Sequence, residues 1–369
     1  CYGEKRKVKM KNNEAIQLGS NRYLQGCGVL RSLGEEAAAL GRHPLILADR
    51  EVYPKVSGRV EASLLAAGMQ WELLPFSGSC CPANYQDAAN RGRVSGCDLV
   101  IGIGGGRALD TAKIAADQMG VRAVTIPTSA ATCAATALLA VHYSNEGKFL
   151  GNYWPRYAPA ATLADLDVII KDCPPRLNAA GIVDAMAKYP EIAYNILYTN
   201  NWEKNIMSHT ARNTAENTFH FLMEHGGAVG REDGKKEAGQ AAEDVVAAVL
   251  SITGFISCLA CGGKQAAVSH GLYSYFCNEM PALTERFLHG ELVGASLPYQ
   301  MALNGWPAED IECMQSFLNE LSCPSSLRGL GLTESDLDWT EMTAFLYRIL
   351  PAETREDRER LDRYKDILL

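Results

Sequence analysis

The sequence has no run approaching the ~20 consecutive apolar residues of a bilayer-crossing helix, although 47% of its 369 residues are hydrophobic. It also lacks a surplus of basic charge: 35 Lys and Arg stand against 43 Asp and Glu, a formal net charge of −8. Binding nucleic acid or an anionic membrane requires a stripe of cations to neutralise phosphates, so neither is expected as a partner. There is no internal repeat and no GK[ST] phosphate loop. Cys258 and Cys261 have a CxxC spacing but no second pair, which speaks against a four-cysteine zinc site. The twelve cysteines are scattered, several of them in apolar runs (Cys133, Cys258, Cys277), and the adjacent Cys80 and Cys81 are poorly placed to bridge each other. A chain of this length buries a core without disulfides, so the thiols are expected to be reduced. The first residues, CYGEKRKVKMKNN, are polar and do not read as a signal peptide, so the expected location is the cytoplasm.

What is present divides into two halves, as the length itself suggests. The first half alternates short apolar runs with amphipathic segments. His43–Leu47, Trp71–Leu74, Asp98–Ile103 and Ala123–Ile126 read as strands, and Val60–Gly68 and Arg107–Met119 as helices. Strand, helix, strand at this spacing predicts a parallel sheet with crossover helices. After about residue 172 strand-like runs almost vanish. Segments rich in Ala, Glu, Leu and Met predict helices over 178–198, 203–224, 236–260, 284–304 and 309–321, with a loop over 224–236 and a solvated charged helix from Glu353. Consecutive prolines in Asp172-Cys173-Pro174-Pro175 break regular structure, so the expected domains are 1–172 and 173–369.

The sharpest local motif is GIGGGRALDTAK, Gly102–Lys113. Gly104, Gly105 and Gly106 would let backbone approach a ligand closely, and the helix that follows aims unpaired N–H groups and its dipole at an anion. A pyrophosphate suits that place; a tight strand-to-helix turn is the plainer reading. Asp49 ends an earlier strand, where a carboxylate accepts from both ribose hydroxyls of NAD and repels a 2′-phosphate; otherwise it caps the next helix. Thr128, Ser129 and Thr132, in PTSAAT, offer hydroxyls and amides after another strand. In the second half, Asp184 in GIVDA, His270 in AAVSHGLYSYF and His289 in RFLHGELVG are one carboxylate and two imidazoles from separate segments. With water they would hold zinc or ferrous iron and leave a position open. Their spacing alone does not separate ligands from core or capping residues.

Six segments in order, NRYLQGCGVLRSLGEEAAALG, LILADREVY, GIGGGRALDTAK, VTIPTSAATCAA, AGIVDAMAKYPE and RFLHGELVGA, resemble the iron-containing alcohol dehydrogenase superfamily over roughly residues 20 to 300, and within it the glycerol dehydrogenase-like group. The resemblance implies an α/β N-terminal Rossmann-like domain, an all-α C-terminal domain and an active site in the cleft between them. It implies Asp184, His270 and His289 as metal ligands and catalytic centre. Asp49, Gly104, Gly105, Gly106, Arg107, Ala108, Asp110, Thr128, Ser129, Thr132, Ala137, Leu139 and Tyr143 become the cofactor-binding set, and Cys133 and Tyr273 the substrate contacts. The cofactors implied are NAD and a divalent metal, zinc or iron; the substrate is a small alcohol or carbonyl compound, and a homo-oligomer is expected.

Four positions depart from the group's pattern. Cys133 stands where glycerol dehydrogenases carry an Asp that meets a polyol hydroxyl; the ATCAA form is similar to a branch of hydroxycarboxylate dehydrogenases. Tyr273 stands where those enzymes have a second His, Pro190 lies inside the helix of Asp184 and could kink it, and Arg107 replaces a common Lys. Hydride transfer between NAD(H) and a hydroxy acid, a polyol or another alcohol follows as the expected reaction. A dehydroquinate-synthase-like lyase or cyclase would need several cations near the metal, and residues 250–290 supply Lys264 and Arg286. The same pattern would also suit a glycerol-1-phosphate-type dehydrogenase or a non-catalytic NAD sensor, although a sensor would be expected to have lost a metal ligand.

Overall fold

Leu45, Leu47 and Val100 alternate with Ile46, Ala48, Leu99, Ile101 and Ile103, all at most 1% exposed. A strand with both faces apolar belongs in a parallel sheet covered by helices on each side, and the computed structural model has that arrangement. It describes residues 17–198, 205–231, 239–260, 265–350 and 355–369. The strands are β1 (Tyr23–Gly26), β2 (Pro44–Asp49), β3 (Glu72–Phe76), β4 (Leu99–Gly104), β5 (Arg122–Pro127), β6 (Ala140–Tyr143), β7 (Phe149–Tyr153) and β8 (Ala161–Asp165). Six form one parallel sheet in the order β1-β8-β5-β4-β2-β3, and β6 and β7 pair as a separate antiparallel hairpin. Helices α1 (Leu33–Ala38) and α2 (Tyr53–Ala66) contribute Leu33, Ala37, Val56, Val60 and Leu64 to the core on one face. Helices α3 (Pro82–Val94) and α4 (Gly106–Met119) contribute Ala88, Ala89, Ala108, Ala112 and Ala115 on the other.

The sequence predicts four of these strands and neither β1, β8 nor the hairpin. The chain leaves β2 for β3 on one side and returns as β4 on the other side of β2. This reversal opens a crevice at the carboxyl ends of β2 and β4, where Asp49 and Gly104 sit.

From Pro175 on, the described residues are helices and loops around one large apolar cluster. Helix α5 (Pro175–Tyr198) runs unbroken through Pro190, whose carbonyl accepts a 2.7 Å hydrogen bond from Asn304 Nδ2. Helix α6 (Ile206–His225) starts at Asn205, which accepts from Ser208 N at 3.0 Å. The helix expected over 284–304 is three: Pro281–Arg286, His289–Gly294 and Leu297–Leu303. Extended backbone at Phe287 and Leu288 makes the first break, with Glu291 turning back to accept from Leu288 N at 2.8 Å; Pro298 stands in the first turn of the third helix. The loop expected over 224–236 holds a helical turn at Gly227–Gly230.

Gln240–Leu259 is, by length and composition, long and apolar enough to cross a membrane, which corrects the reading that no run approaches that length. It is a core segment here: 61% of its most apolar window is buried inside the protein, and Val245, Val246, Val249 and Leu250 are at most 1% exposed. The described cysteines are free thiols, and Cys80 and Cys81 are buried side by side without bridging. Cys261, Lys264, the first thirteen residues and the start of the charged tail at Glu353 lie outside the described residues.

Candidate active site

At the crevice, Gly104 has φ +144, a conformation open to glycine, and a Cβ built there would stand 2.9 Å from Asp49 Cβ and 3.0 Å from Ala108 Cβ. Both conformation and space therefore require glycine. Gly105 precedes α4 and Gly106 opens it, leaving that helix's first N–H groups unpaired at its N-terminus. A Cβ on Gly106 would come within 3.0 Å of Thr132 Oγ1, so Thr132 borders the turn. Thr128 is also beside it, its N–H donating to Gly104 O at 3.2 Å. Ser129 is buried nearby in sequence, Arg107 is exposed, and the Ala108 side chain lies in the sheet core. Asp49 Oδ1 accepts from Glu51 N at 2.9 Å and Val52 N at 3.2 Å. The capping role is thus filled by one oxygen.

Asp110 points into the fold rather than at the turn. It is 2.8 Å from Lys113 Nζ and accepts from Val141 N at 3.0 Å. Lys113, 2% exposed, also donates to the carbonyls of Ala134, Ala137 and Leu139. One buried ammonium therefore ties α4 to the segment containing Cys133, Ala137 and Leu139. The carbonyl-binding role of Lys113 does not show in the motif it ends, because those three carbonyls lie 21 to 26 residues away.

The second half contributes a compact cluster. Ligand atoms of Asp184, His270 and His289 lie within 4.8 Å of one another. Asp184 Oδ1 is 3.1 Å from His270 Nε2 and 3.4 Å from His289 Nε2. Asp184 comes from the middle of α5, His270 from Val268–Glu279, and His289 from the first residue of His289–Gly294. Burial alone would raise the Asp184 carboxyl, but the Lys188 ammonium, His289 and His270 hold it well below the usual carboxylate range. Burial lowers His289 below the ordinary imidazole value.

Two members were not anticipated. Glu191, 0% exposed, accepts from His270 Nδ1 at 2.5 Å through Oε2 and from the N–H groups of Ala267 and His270 at 2.8 Å through Oε1. Lys188 Nζ is 3.0 Å from both Asp184 Oδ1 and His270 Nε2. Asp184, Lys188 and Glu191 are spaced i, i+4 and i+7, one face of a helix, and that stripe was the available signal.

The two halves meet around this cluster. Asn178 of α5 accepts from Ala130 N at 2.8 Å. Tyr143 of β6 and Tyr273 share a 2.8 Å hydroxyl contact, and the Tyr273 ring stands edge-on to His289 with centroids 4.2 Å apart. Burial pushes the Cys133 thiol up to about 12, and the charges of Asp184 and Lys188 also reach it. Asp184, His270, His289, Tyr273, Tyr143 and Cys133 thus converge, while Gly104–Gly106, Asp49, Thr128 and Thr132 form the adjoining turn. Two imidazoles and a carboxylate, with Glu191 fixing one ring, suit a divalent metal. The glycine turn at a helix N-terminus suits a pyrophosphate.

Residues 20–166 match the family model described as iron-containing alcohol dehydrogenase. A glycerol dehydrogenase from Escherichia coli is 31% identical over 318 residues, 85% of this chain and 84% of that protein. A glycolaldehyde reductase from Halobacterium salinarum is 30% identical over 324 residues, 86% of each. Among solved structures, a probable glycerol dehydrogenase from Sinorhizobium meliloti superposes with a TM-score of 0.80 at 23% identity, covering 96% of this chain and 98% of that one.

Proposed function

The chain belongs to the iron-containing alcohol dehydrogenase family, and from that premise we propose that it moves a hydride between NAD(H) and a small hydroxy or carbonyl compound at a divalent-metal centre formed by Asp184, His270 and His289. The observation that carries this reading is the meeting of those three side chains beside the loop after β5. When bound, the metal would supply Lewis acidity toward the substrate oxygen and the nicotinamide the hydride. The chain's own groups bind and orient. Glu191 keeps the proton of His270 on Nδ1, so that Nε2 faces the centre with its lone pair. The Gly104–Gly106 turn and the first amides of α4 hold the pyrophosphate, Thr128, Ser129 and Thr132 border it, and Asp49 takes the adenosine ribose. Tyr273 and Cys133 adjoin the substrate position. Zinc and iron both fit the donor set. We also propose the division at residue 172, a cytoplasmic location and a homo-oligomer.

A cyclase or lyase on a phosphorylated substrate is disfavoured, because Lys188 alone, among the Lys and Arg of the described residues, is in ion-pair contact with Asp184. The test is a panel of 2-oxo acids, aldehydes and polyols assayed with NAD(H), with and without added Zn²⁺ or Fe²⁺. Metal-dependent NADH formation or consumption is expected; metal-independent turnover, or conversion with no net change in NADH, would sink the reading.

Asp49→Asn keeps an oxygen for the Glu51 and Val52 amides while removing the charge that repels a 2′-phosphate. The kcat/KM ratio for NADP over NAD should rise about tenfold, the worth of roughly 1.4 kcal/mol. An unchanged ratio would leave Asp49 as a cap alone.

A further inference from the structure

Lys188 has no task in the proposed hydride transfer, yet it is 4% exposed and its Nζ stands 3.0 Å from both Asp184 Oδ1 and His270 Nε2. A neutral imidazole has one lone pair to give. Glu191 accepts from His270 Nδ1, and two cations do not share a 3.0 Å contact, so with the Lys188 ammonium at that distance from Nε2 the ring is neutral and its Nε2 lone pair faces Lys188. His270 can offer a metal ion only that same lone pair. Filling the metal site and keeping the Lys188–His270 bond are therefore mutually exclusive, and repulsion between the ammonium and a divalent cation drives the ammonium away.

The ammonium keeps its ion pair with Asp184 Oδ1 at 3.0 Å but loses one of its two acceptors, and a buried donor left unpaired is costly. Besides Asp184, the acidic groups whose charge reaches Lys188 are Cys133 and Glu191. Cys133 is a neutral thiol, raised to about 12 chiefly by burial. Glu191 has both oxygens committed, one to the His270 ring and one to two backbone amides. The N–H freed from His270 needs a new acceptor, which a carboxylate bound at the centre would supply.

Resting on the metal-centre reading, we propose that Lys188 is a specificity-determining residue: a displaceable cation that leaves His270 as the metal site fills and pairs with the carboxylate of a 2-hydroxy or 2-oxo acid bound there. The neutral Cys133 beside it adds no competing charge.

The test uses the full-length protein as wild type, Lys188→Met and Lys188→Arg, with pyruvate and its uncharged analogue hydroxyacetone as probes. Wild type should prefer pyruvate. In Lys188→Met the pyruvate-to-hydroxyacetone ratio of kcat/KM should fall about 100-fold, mostly through KM, the scale of losing one buried charge pair. Lys188→Arg should restore part of it. Zn²⁺ binding, measured by chelator competition without substrate, should tighten about tenfold in Lys188→Met, as expected when a rival worth roughly 1.4 kcal/mol is removed. If the methionine variant does not fold, Lys188→Gln carries the same measurements. An unmoved substrate ratio, an unmoved zinc affinity, or a wild-type preference for hydroxyacetone overturns the proposal. Zinc retained in His270→Ala would instead overturn the metal-centre reading on which it rests.

Discussion

His270→Ala is expected to purify with less than a tenth of the wild-type content of zinc or iron and to lose turnover by about a thousandfold or more, the several kcal/mol that a Lewis-acid centre supplies. Asp184 and His289 alone leave two protein ligands, too few for the three-ligand sites that keep a catalytic metal. The variant will not be neutral for the fold. Glu191 is fully buried and loses the ring proton that its Oε2 accepts, while Oε1 keeps the amides of Ala267 and His270. Leaving a buried acceptor unpaired costs about 1–3 kcal/mol, so the metal-free variant should unfold at lower urea concentration than metal-free wild type. The double variant His270→Ala/Glu191→Gln keeps an oxygen for the amides of Ala267 and residue 270 while removing the orphaned charge, and should recover part of that loss without recovering metal. Metal content by elemental analysis and NADH-linked turnover give the readout. Full metal content with normal activity would remove His270 from the centre.

What the sequence revealed depended on how far apart the cooperating residues lie. The buried strands β2, β4 and β5 were visible because Leu45–Ala48, Leu99–Ile103 and Ala123–Ile126 are short apolar runs. Strand β8, Ala-Thr-Leu-Ala-Asp, is equally buried, but its alanines carry no strand preference, and its place between β1 and β5 is fixed by those neighbours. The glycine turn was legible because strand end, turn and helix start are contiguous. The joining of Asp184 to His270 and His289 was legible only through the family resemblance, since separations of 86 and 105 residues carry no local signal. Glu191 and Lys188 were missed for another reason. Their spacing from Asp184 marks them as one face of α5, but a buried acid and amine acquire meaning only when His270 is seen against them. The single helix expected over 284–304 failed at Leu288, where the backbone extends so that His289 can open a new helix.

Gly181→Ala tests how the two halves are held in register. Ala is a better helix former than Gly by about 1 kcal/mol, and position 181 lies well inside α5, so propensity alone predicts stabilisation. Space predicts the reverse: a Cβ at 181 would lie 1.7 Å from the carbonyl oxygen of Ala130 and 2.8 Å from the carbonyl carbon of Ala131. Both are backbone atoms that cannot rotate aside, and Ala130 is further tied to α5 by the hydrogen bond to Asn178. Overpacking of this kind costs about 1–3 kcal/mol and occasionally more, and a 1.7 Å approach belongs at the upper end. The steric term should win, giving a net loss of about 2 kcal/mol or more after the propensity gain is deducted. Relief requires α5 to move away from the loop after β5, which carries Asp184 away from Cys133 and Thr132. Stability and catalysis should therefore fall together, with the urea midpoint lowered and kcat reduced even where the protein remains folded. A variant as stable as wild type, with unchanged kcat, would show that α5 and the loop are not in the contact described and that the site does not depend on it.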